Sequence, residues 1–271
     1  LAYVQELVEY WRTEFDWRAQ QQAIDRLAHY RTNVDGFGIH FIHERGKGSN
    51  PVPLLLTHGW PSTFTEMLKI IPLLTDPAAH GGDAADSFDV IVPSLPGYGF
   101  SDLATDRGVS VVRIADLWTG LMAGLGYTRF GAHDGDWGAS ITARLGYAHP
   151  DRVIGLHVTA VAAMPYLGPD PDLSDAERDF MQARKRWAQA EGGYAHIQGT
   201  KPQTLSYGLN DSPAGLAAWI TEKFRTWSDC HGDVESRFTK DELLANITIY
   251  WATGTINSSM RIYYESRRDP W

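Results

Sequence analysis

The stretch that most constrains this chain runs Tyr127-Thr128-Arg129-Phe130-Gly131-Ala132-His133-Asp134-Gly135-Asp136-Trp137-Gly138-Ala139-Ser140. It starts as a short β-like run and ends in small, helix-forming residues, with an acidic residue between glycines at the join. That is the pattern of a strand–turn–helix elbow, which pushes one side chain out at the apex of a strained turn. A carboxylate held there can attack carbon directly and form an ester. Asp and Gly are also ordinary turn residues, so the stretch alone fits a solvated turn equally well. Of the two aspartates, Asp136 is favoured at the apex, because Gly138 then falls where the following helix must pass close to the sheet. Asp134 would have another Asp at that place, and it stands two residues before the apex, where something small is usual. Two carboxylates this close raise the pKa of one of them.

The rest of the pattern supplies a sheet for the elbow. Val4, Leu7, Val8 and Trp11 recur at helical spacing, and Asp16 to about Tyr30 predicts a second helix. Thr32 to His43 reads as two strands around an Asp35-Gly36 turn. Val52–Thr57 and Phe88–Pro93 are short apolar runs that read as buried strands, with a helix from Thr65 to Leu74 between them. Ser110 can cap a helix whose apolar face is Ile114, Leu117, Trp118, Leu121 and Leu125, closed by Gly126. The elbow helix runs from Gly138 to about Ala148, and Val153–Val158 gives one more strand. This alternation with short connections predicts an α/β fold, a mostly parallel sheet flanked by helices. Ligands in such sheets lie beyond the carboxyl ends of strands, and His58, Leu95 and Asp136 each follow such an end. From Pro165 to about Glu265 the strand signal stops. Ser174-x-x-Glu177 and Thr239-x-x-Glu242 read as capping boxes, and Ser212-Pro213 as an N-cap followed by Pro. A stretch of about 100 residues is too long for a loop, so a helical lid over the strand ends is expected.

A second constellation is His58-Gly59-Trp60-Pro61. Pro61 limits the turn, Gly59 lets backbone approach, and the Trp60 N–H is left free to point into the site. With the N–H of Trp137 it would form a two-donor oxyanion hole. His58, Gly59 and Pro61 are expected on the substrate side of this loop.

Composition narrows the function classes. Of the 271 residues, 43% are hydrophobic and 21% charged, which is ordinary for a soluble globular protein. The 10 Trp and 12 Tyr suit a pocket for an apolar small molecule. A net charge of −9 argues against a nucleic-acid surface. The single cysteine, Cys230, excludes an intramolecular disulfide framework and fits a reducing, cytoplasmic compartment. No apolar stretch approaches a membrane span, although Leu1-Ala2-Tyr3-Val4 opens mid-pattern and leaves room for a preceding segment.

Three motifs together, His58-Gly59-Trp60-Pro61, Pro96-Gly97-Tyr98-Gly99-Phe100-Ser101 and Gly135-Asp136-Trp137-Gly138, resemble the α/β-hydrolase-fold epoxide hydrolases. Lid stretches narrow the resemblance to the microsomal and juvenile-hormone branch. These are Gly193 to Pro202, Asn210 to Trp219 and Tyr250 to Glu265, and Phe15-Asp16-Trp17-Arg18 resembles the end of that branch's N-terminal meander. The resemblance implies four regions: 1–31 as the end of the meander, 32–164 as the core, 165–265 as the lid, and 266–271 as the start of a further core segment. It implies attack of Asp136 on an epoxide carbon while two lid tyrosines, matching Tyr194 and Tyr263, hydrogen-bond the ring oxygen and protonate the alkoxide. Water then hydrolyses the ester to give a vicinal diol, with no metal or cofactor. The expected partner is a small apolar epoxide, with self-association into a homo-oligomer left open. In this fold the acid and the water-activating histidine follow late strands. His149, His157, His196 and His231 do not, so both groups and the last two strands are expected beyond Trp271. The rival reading is a haloalkane dehalogenase, in which Trp137 would be a halide ligand. A catalytically incomplete binding module is the alternative from another class.

Overall fold

The computed structural model describes residues 1–160, 164–169 and 172–271. Six strands form one mixed sheet: β1 (His29–Val34), β2 (Phe37–Glu44), β3 (Val52–Thr57), β4 (Phe88–Pro93), β5 (Phe130–Asp134) and β6 (Val153–Val158). Their order is β1-β2-β4-β3-β5-β6. β1 and β2 are a hairpin turned by Asp35 and Gly36, both at positive φ, and β2 meets β4 antiparallel. β3 pairs in parallel with β4 and β5, and β5 with β6, so the parallel half is the half that carries the elbow.

Side chains alternate across a strand, and the sheet is covered on both faces. Ile91 and Leu55 point into one apolar cluster with Phe130, Ile114, Trp118 and Leu121. Their neighbours Val90, Val92 and Leu56 point into the other, with Ile42, Phe64 and Ile71. Each such side chain removed from water contributes roughly 1.5–3 kcal/mol. β6 is an edge strand, with Ile154 and Leu156 about half exposed.

Two helices line the sheet beside the elbow, α4 (Val111–Gly124) and α5 (Asp136–Ala148), with Ser110 accepting the Arg113 N–H as the α4 cap. Ahead of them lie α1 (Ala2–Thr13), α2 (Trp17–Ile24) and α3 (Ile71–Thr75). The lid is α6 (Asp175–Glu191), α7 (Gly193–Thr200), α8 (Pro202–Asp211), α9 (Pro213–Trp227), α10 (Lys240–Thr253) and α11 (Ile256–Ser266). Both predicted capping boxes are present, at the starts of α6 and α10, and Ser212 caps α9.

Three expectations need correction. The helix predicted from Asp16 to Tyr30 stops at Ile24. His29 and Tyr30 instead pair with Ile42 and Phe41, so β1 starts inside the segment assigned to 1–31. The helix predicted over Thr65–Leu74 is a 3-10 turn, Phe64–Met67, followed by α3, because Pro72 lacks the N–H an unbroken helix needs. The elbow helix starts at Asp136, two residues earlier than read. An unforeseen feature is that α1 packs on lid helices α9 and α10, with the Tyr10 hydroxyl donating to Asp241 at 3.0 Å. The last core residues before the lid, 161–163, and lid residues 170–171 lie outside the described residues.

Candidate active site

Asp136 sits where β5 becomes α5, with φ 49°. A non-glycine residue in this left-handed region is strained, and the strain turns the side chain out at the apex. Glycines on both flanks make the turn possible. A Cβ on Gly138 would overlap the Asp134 carboxyl and stand 2.5 Å from the Thr57 carbonyl oxygen. A Cβ on Gly59 would overlap the Asp136 side chain itself. The loop His58–Pro61 therefore lies directly on the elbow, and only glycine fits at the contact.

The Trp60 N–H donates to Asp136 Oδ1 at 2.9 Å, and the Trp137 N–H also favours the charged carboxylate. Burial outweighs both and raises the carboxyl above its ordinary value. Asp136 is nevertheless exposed as a residue. Dense protein around the carboxyl with one open side describes a group at the bottom of a cleft.

The lid brings its tyrosines to this point. Tyr194, on the first turn of α7, stacks on the Trp60 indole with centroids 5.3 Å apart and planes 10° apart. Tyr263, on α11, meets the Trp137 ring edge-on at 4.7 Å and the Tyr194 ring at 5.7 Å. Both are at least nine-tenths buried, and the Tyr263 hydroxyl has no hydrogen-bond partner. Burial first, then the Asp136 carboxylate, pushes the Tyr194 phenol up to about 12 and the Tyr263 phenol well above its usual range. Both phenols therefore keep their protons at neutral pH.

The expected substrate-side residues divide differently. Gly59 touches the Asp136 side chain. His58 does not face the cleft: it is fully buried, its Nε2 accepts the Leu95 N–H at 3.1 Å, and its Nδ1 lies 3.1 Å from the Gly59 carbonyl. Those bonds fix the tautomer with Nδ1 protonated, and burial lowers the imidazole to about 4. The ring ties its own loop to the loop after β4, and both its nitrogens are engaged. Pro61, reached through a cis peptide, is also buried, and its carbonyl accepts from Asn246 Nδ2 at 2.8 Å.

Sequence reasoning missed how the lid holds the oxyanion loop. Asn246 and Tyr250, four apart on α10, bond the carbonyls of Pro61 and Ser62. Polar groups at i, i+4 within an otherwise apolar helix were the available signal. Glu66, on the 3-10 turn, is a second acid near the site, raised by burial to about 7 with the Asp136 charge adding to the effect. It also lines a groove of about 910 Å³ with Ile24, Leu27, Lys69 and Phe224. That groove reaches Ser62, beside Trp60 and Pro61, but is not lined by Asp136 or the tyrosines, so it is separate from the elbow. Among the described residues no cluster suited to a metal ion is present, and no helix is long and apolar enough to cross a membrane.

A family model described as "Epoxide hydrolase N terminus" matches residues 1–67, and one described as "alpha/beta hydrolase fold" matches residues 52–196. The chain belongs to the α/β-hydrolase-fold epoxide hydrolase family. A Stigmatella aurantiaca protein assigned by name to the epoxide hydrolases is 50% identical over 98% of this chain and 60% of its own length. Epoxide hydrolase 1 of Sus scrofa is 40% identical over 97% of this chain and 63% of its own. The crystal structure of the Bombyx mori juvenile hormone epoxide hydrolase superposes with a TM-score of 0.82 at 36% identity, over 97% of this chain and 64% of that one. The chain thus spans a little under two thirds of the length of these epoxide hydrolases.

Proposed function

We propose that the chain carries the ester-forming machinery of an epoxide hydrolase acting on an apolar epoxide, with Asp136 as nucleophile. Asp136 attacks a ring carbon, the carbon–oxygen bond breaks, and the ring oxygen takes a proton from a lid phenol. The product is a 2-hydroxyalkyl ester on Asp136. Hydrolysis of that ester passes through a tetrahedral oxyanion, for which the amides of Trp60 and Trp137 are the two donors. Water releases a vicinal diol. Neutral phenols suit this step because an alkoxide is a poor leaving group and needs a proton.

One observation carries the reading. The two tryptophans whose amides face Asp136 are the same two whose rings contact Tyr194 and Tyr263. Nucleophile, oxyanion donors and proton donors are thus one packed unit. A halide leaves without a proton, so two buried phenols beside the nucleophile, one with an unpartnered hydroxyl, favour the epoxide over the haloalkane. Four histidines are engaged elsewhere: His58 is bound to backbone, His149 to Asp116, and His133 to His157.

Incubation with styrene oxide followed by intact-mass measurement and peptide mapping tests the assignment. The expected result is one adduct of the epoxide's mass on Asp136, lost in Asp136→Asn and kept in Asp134→Asn. Loss in Asp134→Asn alone would transfer the role to Asp134, and halide release from a bromoalkane without any epoxide adduct would favour the dehalogenase.

A further inference from the structure

Lys223 lies in the middle of α9, where it is 7% exposed. Its ammonium stands 5.3 Å from the Tyr194 ring centroid, 5.3 Å from that of Trp227 and 6.0 Å from that of Trp219. Trp219, Lys223 and Trp227 are spaced four apart, so they share one face of the helix. Two carboxylates lie against the ammonium: Glu222 at 2.5 Å and Glu191 at 3.8 Å, the latter also accepting from Trp227 Nε1 at 3.2 Å. A buried lysine is costly unless it is paired. This one is paired on its outer side and turned toward aromatic rings on its inner side, and one of those rings is the lid phenol beside the nucleophile. Among the described residues no cation stands over the Tyr263 ring, whose neighbours are Trp60, Trp137 and Tyr194.

We infer that Lys223 is a positioning residue acting through Tyr194: its ammonium, held against the ring, makes Tyr194 the proton donor and leaves Tyr263 to orient the ring oxygen. The inference rests on the reading of Asp136 and the lid tyrosines given above. As the carbon–oxygen bond breaks, its electron pair goes to the ring oxygen, and that oxygen takes the Tyr194 proton. The phenolate left behind concentrates negative charge next to a fixed cation, and water later returns the proton. A cation near an aromatic face interacts more strongly as the ring gains charge, and more strongly still where water is excluded. Tyr263 loses no proton in this scheme, in keeping with a ring over which, among the described residues, no cation stands.

The test measures the rate of adduct formation on Asp136 with two alkylating agents. Styrene oxide needs a proton on its leaving oxygen; 2-phenylethyl bromide does not. Lys223→Met is expected to slow the epoxide reaction roughly tenfold, the size of a desolvated cation–π contact, and to leave the bromide reaction within about twofold. Lys223→Arg is expected to recover most of the epoxide rate. In a Tyr194→Phe background, Lys223→Met is expected to cost nothing further, because its only route is already removed. Equal losses with both agents, or a further loss in the Tyr194→Phe background, would overturn the inference and make Lys223 a packing residue. Total absence of adduct from the unaltered chain would instead refute the function on which the inference stands. Should Lys223→Met fold poorly, Lys223→Gln, which also removes the charge but keeps a polar end, takes its place with the same two agents and the same deciding outcomes.

Discussion

Replacing Asp134 by Asn tests whether a neutral carboxylic acid is built into the floor of the elbow. Asp134 is 1% exposed and is the register partner of Thr57 across the β3–β5 pair. Its Oδ1 accepts the Gly135 N–H, whereas Oδ2 is buried without a partner and borders the same space as the Thr57 carbonyl oxygen. A buried carboxyl oxygen that no donor reaches favours the protonated form. Burial raises this carboxyl well above its usual range, and the charges of Glu66 and Asp136 add to the effect. The sign of the pH dependence follows. The folded chain holds a proton that the unfolded chain releases near its ordinary value of about 3.9, so this contribution is complete below that value and is lost as pH rises toward the folded value. Over that window the slope is about 1.4 kcal/mol per pH unit. Asn has nearly the same shape, cannot ionise and can donate to Thr57. Urea unfolding of both proteins between about pH 5 and about pH 8 is therefore expected to give diverging stabilities, with the Asp134→Asn variant gaining over the unaltered chain at each step. Glu66 and Asp136 are common to both proteins, so their own titrations largely cancel in the difference. Parallel curves would refute the reasoning, because they would mean that Asp134 is ionised in the folded chain.

Two further substitutions probe the contact between loop and elbow. Gly59→Ala puts a methyl group into the Asp136 side chain, and a displacement on the order of 1 Å is expected to slow adduct formation roughly a hundredfold; an unchanged rate would mean that loop and elbow are not in contact. Asn246→Ala leaves the buried Pro61 carbonyl without its donor and is expected to cost about 1–3 kcal/mol, read as a lower thermal midpoint; an unchanged midpoint would show that α10 does not hold the loop.

Much of the parallel half of the sheet was legible because its signals are local. Val52–Thr57, Phe88–Pro93 and Val153–Val158 coincide with strands, since uninterrupted apolar runs between turn residues leave few alternatives. The capping boxes of α6 and α10 were legible for the same reason, each being complete within four residues. The start of β1 was not, because His29 and Tyr30 carry no strong local preference and become a strand only when β2 pairs with them. At the site, the turn geometry and the oxyanion loop could be read from Gly59, Gly135 and Gly138. The burial of His58 could not, since its partners, the Leu95 amide and the Gly59 carbonyl, are set by how two loops meet. Lys223 shows a signal present but passed over: a lysine with tryptophans four residues to either side is an unusual helix face. Its meaning depends on the distant Tyr194.

Trp60 supplies both an amide to the nucleophile and a ring on which Tyr194 rests. A guest wide enough to tilt Tyr194 must press on that indole, and through it on the amide 2.9 Å from Asp136. The gauge that measures a molecule's breadth and the device that steadies the developing charge are therefore one residue. Misfit is registered in the speed of bond making as well as in how tightly the molecule is held. On the function proposed above, discrimination between epoxides of different width is a matter of turnover of the bound form, and tight-binding but bulky molecules become inhibitors rather than poor substrates.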